Sequence, residues 1–114
     1  NGIAENNQIA NCKKHGISTG HRDNDNIIRG NTISNSGECG IYFRPERSAA
    51  HTSNRVLIEN NSVECPADAT GISVARGAED TIIRNNKIIV PDAARAIVID
   101  DEAVRTIVEE NEIG

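Results

Sequence analysis

The chain has 114 residues and a formal net charge of −5, from 17 acidic and 12 basic side chains. This balance argues against nucleic-acid binding, because neutralising phosphates requires a basic stripe that the sequence lacks. No apolar run approaches membrane-spanning length, and the sequence contains no signal-peptide pattern, so we expect neither a nucleic acid nor a membrane as the partner.

One short phrase, in which two apolar runs flank an asparagine, occurs five times along the chain. Its asparagines are 24 to 30 residues apart, a period typical of solenoids. The five copies are Ile3-Ala4-Glu5-Asn6-Asn7-Gln8-Ile9, Ile27-Ile28-Arg29-Gly30-Asn31-Thr32-Ile33, Leu57-Ile58-Glu59-Asn60-Asn61-Ser62-Val63, Ile82-Ile83-Arg84-Asn85-Asn86-Lys87-Ile88 and Ile107-Val108-Glu109-Glu110-Asn111-Glu112-Ile113.

A second phrase follows each of the first four asparagines by nine or ten residues. Three apolar runs per repeat predict a coil of three short strands, and the chain is long enough for four to five such coils. The sequence therefore predicts an all-β fold, a parallel β-helix with one strand of each coil in each of three sheets. The copies of the second phrase are Gly16-Ile17-Ser18-Thr19, Gly40-Ile41-Tyr42-Phe43, Gly71-Ile72-Ser73-Val74 and the looser Ala96-Ile97-Val98-Ile99.

Alternation along each predicted strand sorts the side chains into inward and outward rows. Stacked coils turn the inward rows into three aliphatic ladders, which would enclose a narrow core. This explains how a chain with one tyrosine, one phenylalanine and no tryptophan or methionine can fold. The predicted ladders are Ala4, Ile28, Ile58, Ile83 and Val108, then Ile9, Ile33, Val63, Ile88 and Ile113, and finally Ile17, Ile41, Ile72 and Ile97.

The repeated asparagines are predicted at the bend between the first two strands of each coil. Asparagine tolerates left-handed backbone angles, and its side-chain amide can hydrogen-bond to the next coil. We therefore expect a continuous asparagine ladder with a structural role rather than a catalytic one. Its members are Asn7, Asn31, Asn61, Asn86 and Asn111.

The residue two positions before each of these asparagines alternates in charge from coil to coil. Neighbours in this row attract each other, which fixes the register although each exposed pair contributes under about 1 kcal/mol. Strict alternation also directs five aliphatic side chains outward beside the row. They form either an exposed contact surface or a stripe curled partly inward by the bend. The charge row is Glu5, Arg29, Glu59, Arg84 and Glu109, and the stripe is Ile3, Ile27, Leu57, Ile82 and Ile107.

The cysteines and the chain ends bear on the domain organisation. Cys12, Cys39 and Cys65 lie about one coil apart without a CxxC pair, which favours small buried or turn residues over metal ligands. The sequence shows no amphipathic capping helix, although repeat arrays need their ends covered. We expect residues 1–114 to form a single domain that is a piece of a longer protein or is covered at its ends by a partner.

The Asn-Asn-x-Ile turn followed by Gly-Ile, repeated four or five times, resembles the right-handed parallel β-helix superfamily of pectate lyases, polygalacturonases, alginate epimerases and phage tailspikes. The resemblance covers nearly the whole chain. The resemblance implies the fold strongly. It says little about function, because the superfamily contains carbohydrate-active enzymes as well as adhesive or structural members. It favours an extracellular or cell-surface location.

In the enzymes of this superfamily, substrate lies along the outer face of the strand that begins Gly-Ile and on the loops that follow it. Arginines there neutralise a uronate carboxylate while another side chain acts as base. Hydrolysis needs two carboxylates flanking the bond, which this face does not supply, so a lyase or epimerase is favoured over a hydrolase. Carried over residue by residue, the resemblance implies His21, Tyr42, Arg44 and Arg76 as catalytic candidates and Ser18, Arg47, Ser73 and Asp100 as substrate-binding candidates.

No metal site is predicted. Asp100, Asp101 and Glu102 could collect a calcium ion, but calcium takes six to eight oxygen ligands and no second acidic cluster aligns with them. We interpret them as a solvated acidic turn, and His15 as a turn residue. We expect no cofactor, although these three acidic residues leave calcium possible.

Two functions stay open. The favoured one is binding or processing of a polysaccharide, above all a uronate polymer, on the Gly-Ile strand face. The alternative is a structural module that assembles through its open ends or its aliphatic stripe, with copies of itself or with the remainder of a larger protein.

Overall fold

The computed structural model describes residues 2–19, 24–44, 54–66, 69–75 and 77–114. Within these ranges the chain forms fourteen short strands, β1 to β14 in chain order, and one 3₁₀ helix at Ala93–Arg95. None of the helical structure in this part of the chain is long and apolar enough to cross a membrane.

The strands stack into three parallel sheets, and each coil contributes one strand to each sheet until the last coil, which contributes to two. This confirms the predicted solenoid of four to five three-stranded coils. The first sheet contains β1 (Ile3–Glu5), β4 (Ile27–Arg29), β7 (Leu57–Glu59), β10 (Ile82–Arg84) and β13 (Ile107–Glu109); the second contains β2 (Gln8–Ala10), β5 (Thr32–Ser34), β8 (Ser62–Glu64), β11 (Lys87–Ile89) and β14 (Glu112–Ile113); the third contains β3 (His15–Thr19), β6 (Cys39–Phe43), β9 (Thr70–Val74) and β12 (Ile97–Ile99).

The predicted aliphatic ladders form the core. Ile28 pairs with Ile58 in the first sheet, and Ile41 pairs with Ile72 in the third. The interior members of all three ladders are buried, whereas the members in the first and last coils are only partly covered. Phe43, which the alternation also directs inward, fills the core beside them.

The asparagine ladder is confirmed, and Asn61 shows its geometry. Its Oδ1 accepts hydrogen bonds from the backbone N–H and the side-chain Nδ2 of Asn31, both at 3.0 Å. Its own Nδ2 donates to the carbonyl oxygen of Ile28 at 2.9 Å and to Oδ1 of Asn86 at 3.0 Å. Both hydrogens and both lone pairs of the buried amide are therefore satisfied, and the pattern continues along the row.

The left-handed backbone angles lie one residue earlier than predicted. The expectation that the ladder asparagines themselves adopt them is wrong, because the preceding residue makes the bend and leaves the asparagine free to point into the stack. Glycine in the second coil takes this conformation without a steric penalty. The bend residues are Asn6 (φ 56°), Gly30 (φ 66°), Asn60 (φ 56°), Asn85 (φ 56°) and Glu110 (φ 54°).

A second corner, before the first sheet, carries a shorter polar row that the sequence phrases did not reveal. The backbone N–H of Asn54 donates to Oδ1 of Asn24 at 2.9 Å, and the N–H of Glu79 donates to Oδ1 of Asn54 at 3.0 Å. Each of these two asparagines lies seven residues before a ladder asparagine, Asn31 or Asn61, and Glu79 takes the same position in the next coil.

The predicted charge row also forms. Arg29 pairs with Glu5, and a guanidinium nitrogen of Arg84 lies 3.1 Å from Oε1 of Glu59. The neighbouring stripe faces outward as alternation requires; its three interior members are half-buried, whereas Ile3 is exposed. The stripe is therefore partly covered in the interior coils and exposed at its ends.

Candidate functional site

The outer face of the third sheet carries the row in which the site was predicted. Ser18 pairs with Tyr42, Tyr42 pairs with Ser73, and Ser73 pairs with Val98. Their neighbours in the aliphatic ladder point into the core, so this row faces outward. The register therefore places these four side chains, one from each of four successive coils, in one outward row.

A groove of about 340 Å³ opens at this face and contains part of the predicted site. Tyr42, Ser73 and Asp100 line it, together with the apolar side chains of Ala75 and Val98. Three of the eight candidate residues, from three coils, therefore share one groove. Its surface combines two hydroxyls and a carboxylate with a larger apolar area.

Asp100 is held in the groove by the turn that follows β12. Its backbone N–H donates to the carbonyl oxygen of Val74 at 3.0 Å, which extends the third sheet by one residue. Its Oδ1 accepts from the backbone N–H of Glu102 at 2.9 Å. The carboxylate thus closes the acidic turn, as in other aspartate-centred turns, and its position is fixed by backbone contacts.

Tyr42 is stacked on His15. The ring centroids are 4.0 Å apart and the planes meet at 13°, so the rings are nearly parallel. His15 belongs to strand β3 in the preceding coil, and the interpretation of it as a turn residue is wrong. Sequence alignment of the coils could not reveal this contact, because Tyr42 is paired with Ser18 and reaches back along the strand to His15.

Two further candidates among the described residues, Ser18 and Arg44, do not line this groove. Ser18 continues the outward row but lines a separate depression of about 300 Å³ at the first coil, with Ile17 and Thr19. Arg44 is exposed directly after β6, and its backbone N–H donates to the carbonyl oxygen of Thr19 at 2.7 Å; its side chain is not part of the groove lining. The candidates His21, Arg47 and Arg76 lie outside the described residues.

The described part of the chain contains no cluster of three or more His, Cys, Asp or Glu side chains that could hold a metal ion. Cys39 and Cys65 are buried and free, while Cys12 is partly covered. Burial raises the pKa of the Cys39 thiol to about 12, and burial also raises the pKa of Cys65. These two thiols are therefore packed side chains, as the sequence indicated.

Comparison with known proteins agrees with this architecture. No curated protein and no solved structure matches the chain significantly. The family model described as "Right handed beta helix region" matches residues 1–88, more than three quarters of the chain. The chain therefore belongs to the right-handed β-helix family.

Proposed function

We propose that this chain binds a polysaccharide in the groove on the outer face of the third sheet. The observation that carries the proposal is the convergence of Tyr42, Ser73 and Asp100, from three coils, on one groove. A groove that crosses several coils suits an extended polymer better than a compact ligand.

The chemistry of the lining supports a sugar. A sugar ring has apolar faces and a rim of hydroxyls, so it needs flat apolar contacts and hydrogen-bonding groups together. Tyr42, Val98 and Ala75 offer the apolar contacts. The hydroxyls of Tyr42 and Ser73 can donate or accept, and the Asp100 carboxylate accepts from sugar hydroxyls.

A preference for uronate polymers is a separate part of the proposal. It requires cations beside the groove, for which Arg44 is a candidate among the described residues and Arg47 and Arg76 are candidates outside them. The Asp100 carboxylate within the groove opposes an anionic sugar through charge repulsion. Neutral polymers and uronate polymers must therefore be compared directly.

The test measures binding by isothermal titration calorimetry with polygalacturonate, its methyl-esterified form and a neutral polysaccharide. Tyr42→Ala removes the largest apolar contact, and we expect about tenfold weaker binding, equal to about 1.4 kcal/mol. Tyr42→Phe keeps the ring and should retain most of the affinity. Thr32→Ala, on the exposed outer face of the second sheet, is the matched control and should change nothing.

Two results would contradict binding at this groove: no affinity for any of the three polymers, or equal affinities for Tyr42→Ala and Thr32→Ala. Arg44→Gln tests the uronate preference, because it should weaken binding of polygalacturonate more than binding of the esterified polymer. The same samples can be followed by ultraviolet absorbance for unsaturated uronate products, whose appearance would extend the proposal from binding to elimination.

A further inference from the structure

The outer face of the first sheet, which we call the stripe face, carries aliphatic side chains between two rows of charge. The stripe is the row Ile3, Ile27, Leu57, Ile82 and Ile107. On one side runs the strand row, Glu5, Arg29, Glu59, Arg84 and Glu109. On the other side, at the corner two residues before the stripe, runs the corner row, Asp25, Arg55, Asp80 and Arg105.

The corner row is as regular as the strand row. All four residues have left-handed backbone angles, with φ between 55° and 60°. Arg55 Nε lies 2.5 Å from Asp25 Oδ1, and Arg105 Nε lies 2.6 Å from Asp80 Oδ1. Each guanidinium holds the pKa of its aspartate partner below the usual value. The corner charges are therefore paired along the row although they are exposed.

The corner row and the stripe border the same surface. A shallow depression of about 410 Å³ is lined by Asp80, Ile82, Arg105, Thr106 and Ile107, so corner charges and stripe residues meet there. Ile107 is 48% exposed and Ile3, at the other end of the stripe, is 61% exposed. A partner that covered the stripe would therefore also contact the charges beside it.

The two charge rows are out of phase with each other. In each of the second to fifth coils the charge at the corner is opposite to the charge on the strand across the stripe. Ion pairing along each row explains why signs alternate within that row, but it does not determine the phase between the rows. The opposed pairs are Asp25 with Arg29, Arg55 with Glu59, Asp80 with Arg84, and Arg105 with Glu109.

This phase makes the stripe face complementary to itself. If a second copy is turned by 180° about an axis parallel to the solenoid and laid face to face, its corner row lies opposite the strand row of the first copy. Acid then meets base in the second to fifth coils, and stripe meets stripe. Rows that were in phase would instead place like charges together in the same arrangement.

We propose that the stripe face is a dimer interface with a second copy of this chain, related by a two-fold axis parallel to the solenoid with the coils in register. The aliphatic stripe supplies the buried apolar area and the two charge rows supply the register. This interface lies on a different sheet from the sugar groove, so the proposal does not depend on the proposed function.

The first test is sedimentation velocity of the protein at micromolar concentrations. The chain has a mass of 12.3 kDa, and the expected species has twice that mass. The variant Leu57→Lys with Ile82→Lys places charge in the stripe and should sediment as a monomer with an unchanged circular-dichroism spectrum. The matched control is Gln8→Lys with Thr32→Lys, on the exposed outer face of the second sheet, and it should stay dimeric.

A charge exchange at the surface tests the geometry without disturbing the core. Arg55→Asp places an acid opposite the partner's Glu59 and should weaken the dimer about tenfold or more. Adding Glu59→Arg restores attraction across the interface, although it leaves Arg29 and Arg84 with a like-charged neighbour within the chain. Recovery of the dimer in the double variant is therefore expected only if the contact is between copies.

A monomeric wild-type protein would overturn the proposal, because the stripe would then be covered by another part of a longer chain or exposed to solvent. A dimer that survives the lysine substitutions would also overturn it and would point to the ends of the solenoid. Failure of Glu59→Arg to restore the dimer would overturn the proposed two-fold arrangement.

Discussion

The third and fifth coils contain nearly the same phrase but differ in burial. In the third coil, Ile58 and Val63 have no exposed surface. In the fifth, Val108 and Ile113 occupy the same ladder positions and are 45% and 41% exposed. The backbone is the same in both, with a left-handed residue between two short strands. The phrase therefore specifies conformation, whereas burial comes from having a neighbouring coil on each side.

The asparagine ladder shows the same difference. Asn61 exchanges hydrogen bonds with the coils on both sides. Asn111 accepts from Asn86 and donates to the carbonyl oxygen of Ile83, both in the coil before it. Identical side chains therefore contribute differently to stability according to their position in the stack.

The largest expected effect comes from a cavity in the interior coil. Ile58→Ala removes a fully buried side chain and should lower the free energy of unfolding by about 2–5 kcal/mol. Val108→Ala, at the same ladder position in the exposed coil, should cost only about 0.5 kcal/mol. Urea denaturation followed by circular dichroism measures both. Equal losses would show that the last coil is covered in solution.

The next effect concerns the asparagine ladder. Asn61→Ala leaves the backbone N–H of Asn31 and the carbonyl oxygen of Ile28 without their side-chain partner, and should cost about 1–3 kcal/mol. Asn111→Ala should cost less, because its row continues on one side only. An unchanged midpoint for Asn61→Ala would contradict the structural role of the ladder.

Buried thiols should make alkaline stability and reactivity depend on position. The folded pKa of the Cys39 thiol is about 12, and the ordinary thiol pKa is 9.0. The contribution of this thiol to stability is therefore fully present below pH 9.0. It is lost as the pH rises from 9.0 to about 12, because the thiol ionises in the unfolded state but not in the folded state. The loss is at most about 1.4 kcal/mol per pH unit for one group. Cys39→Ala should flatten this dependence in denaturation series at several pH values. A thiol reagent should modify Cys12 well before Cys39, and simultaneous modification would contradict the burial of Cys39.

The smallest effect is expected at the corner row, where exposure is similar in interior and end coils. Asp25 and Asp80 have pKa values below the ordinary one because of their arginine partners. Their stabilising contribution is therefore present above the ordinary aspartate pKa and is lost as the pH falls through the lowered value. Carbon-detected NMR titration should show both shifts, and Arg55→Gln should return the pKa of Asp25 towards its usual range while raising that of Asp80 less, because Arg105 is the main partner of Asp80 and Arg55 acts on it only through its charge. An Asp25 shift that persists in Arg55→Gln would contradict the pairing.

The candidate site was only partly predictable. Tyr42, Ser73 and Asp100 were expected on the outer face because period and alternation determine the direction of each side chain, and all three line the groove there. The stack of Tyr42 on His15 was not found, because it depends on how far a long side chain leans along its strand. The contact between Asn24 and Asn54 was also not predicted, because both residues lie outside the two repeated phrases.

The sequence by itself determined the coil, the three ladders, the asparagine row and the alternating strand charges. These features depend only on the spacing of the repeats along the chain and on the alternation of side chains along each strand. The tertiary structure decided which residue of each bend is left-handed, which ladder members are buried, and that Asp100 enters the groove beside Tyr42 and Ser73. It also placed the corner charges beside the stripe. These features depend on contacts between coils and on the path of each loop, which the sequence of a single repeat does not specify.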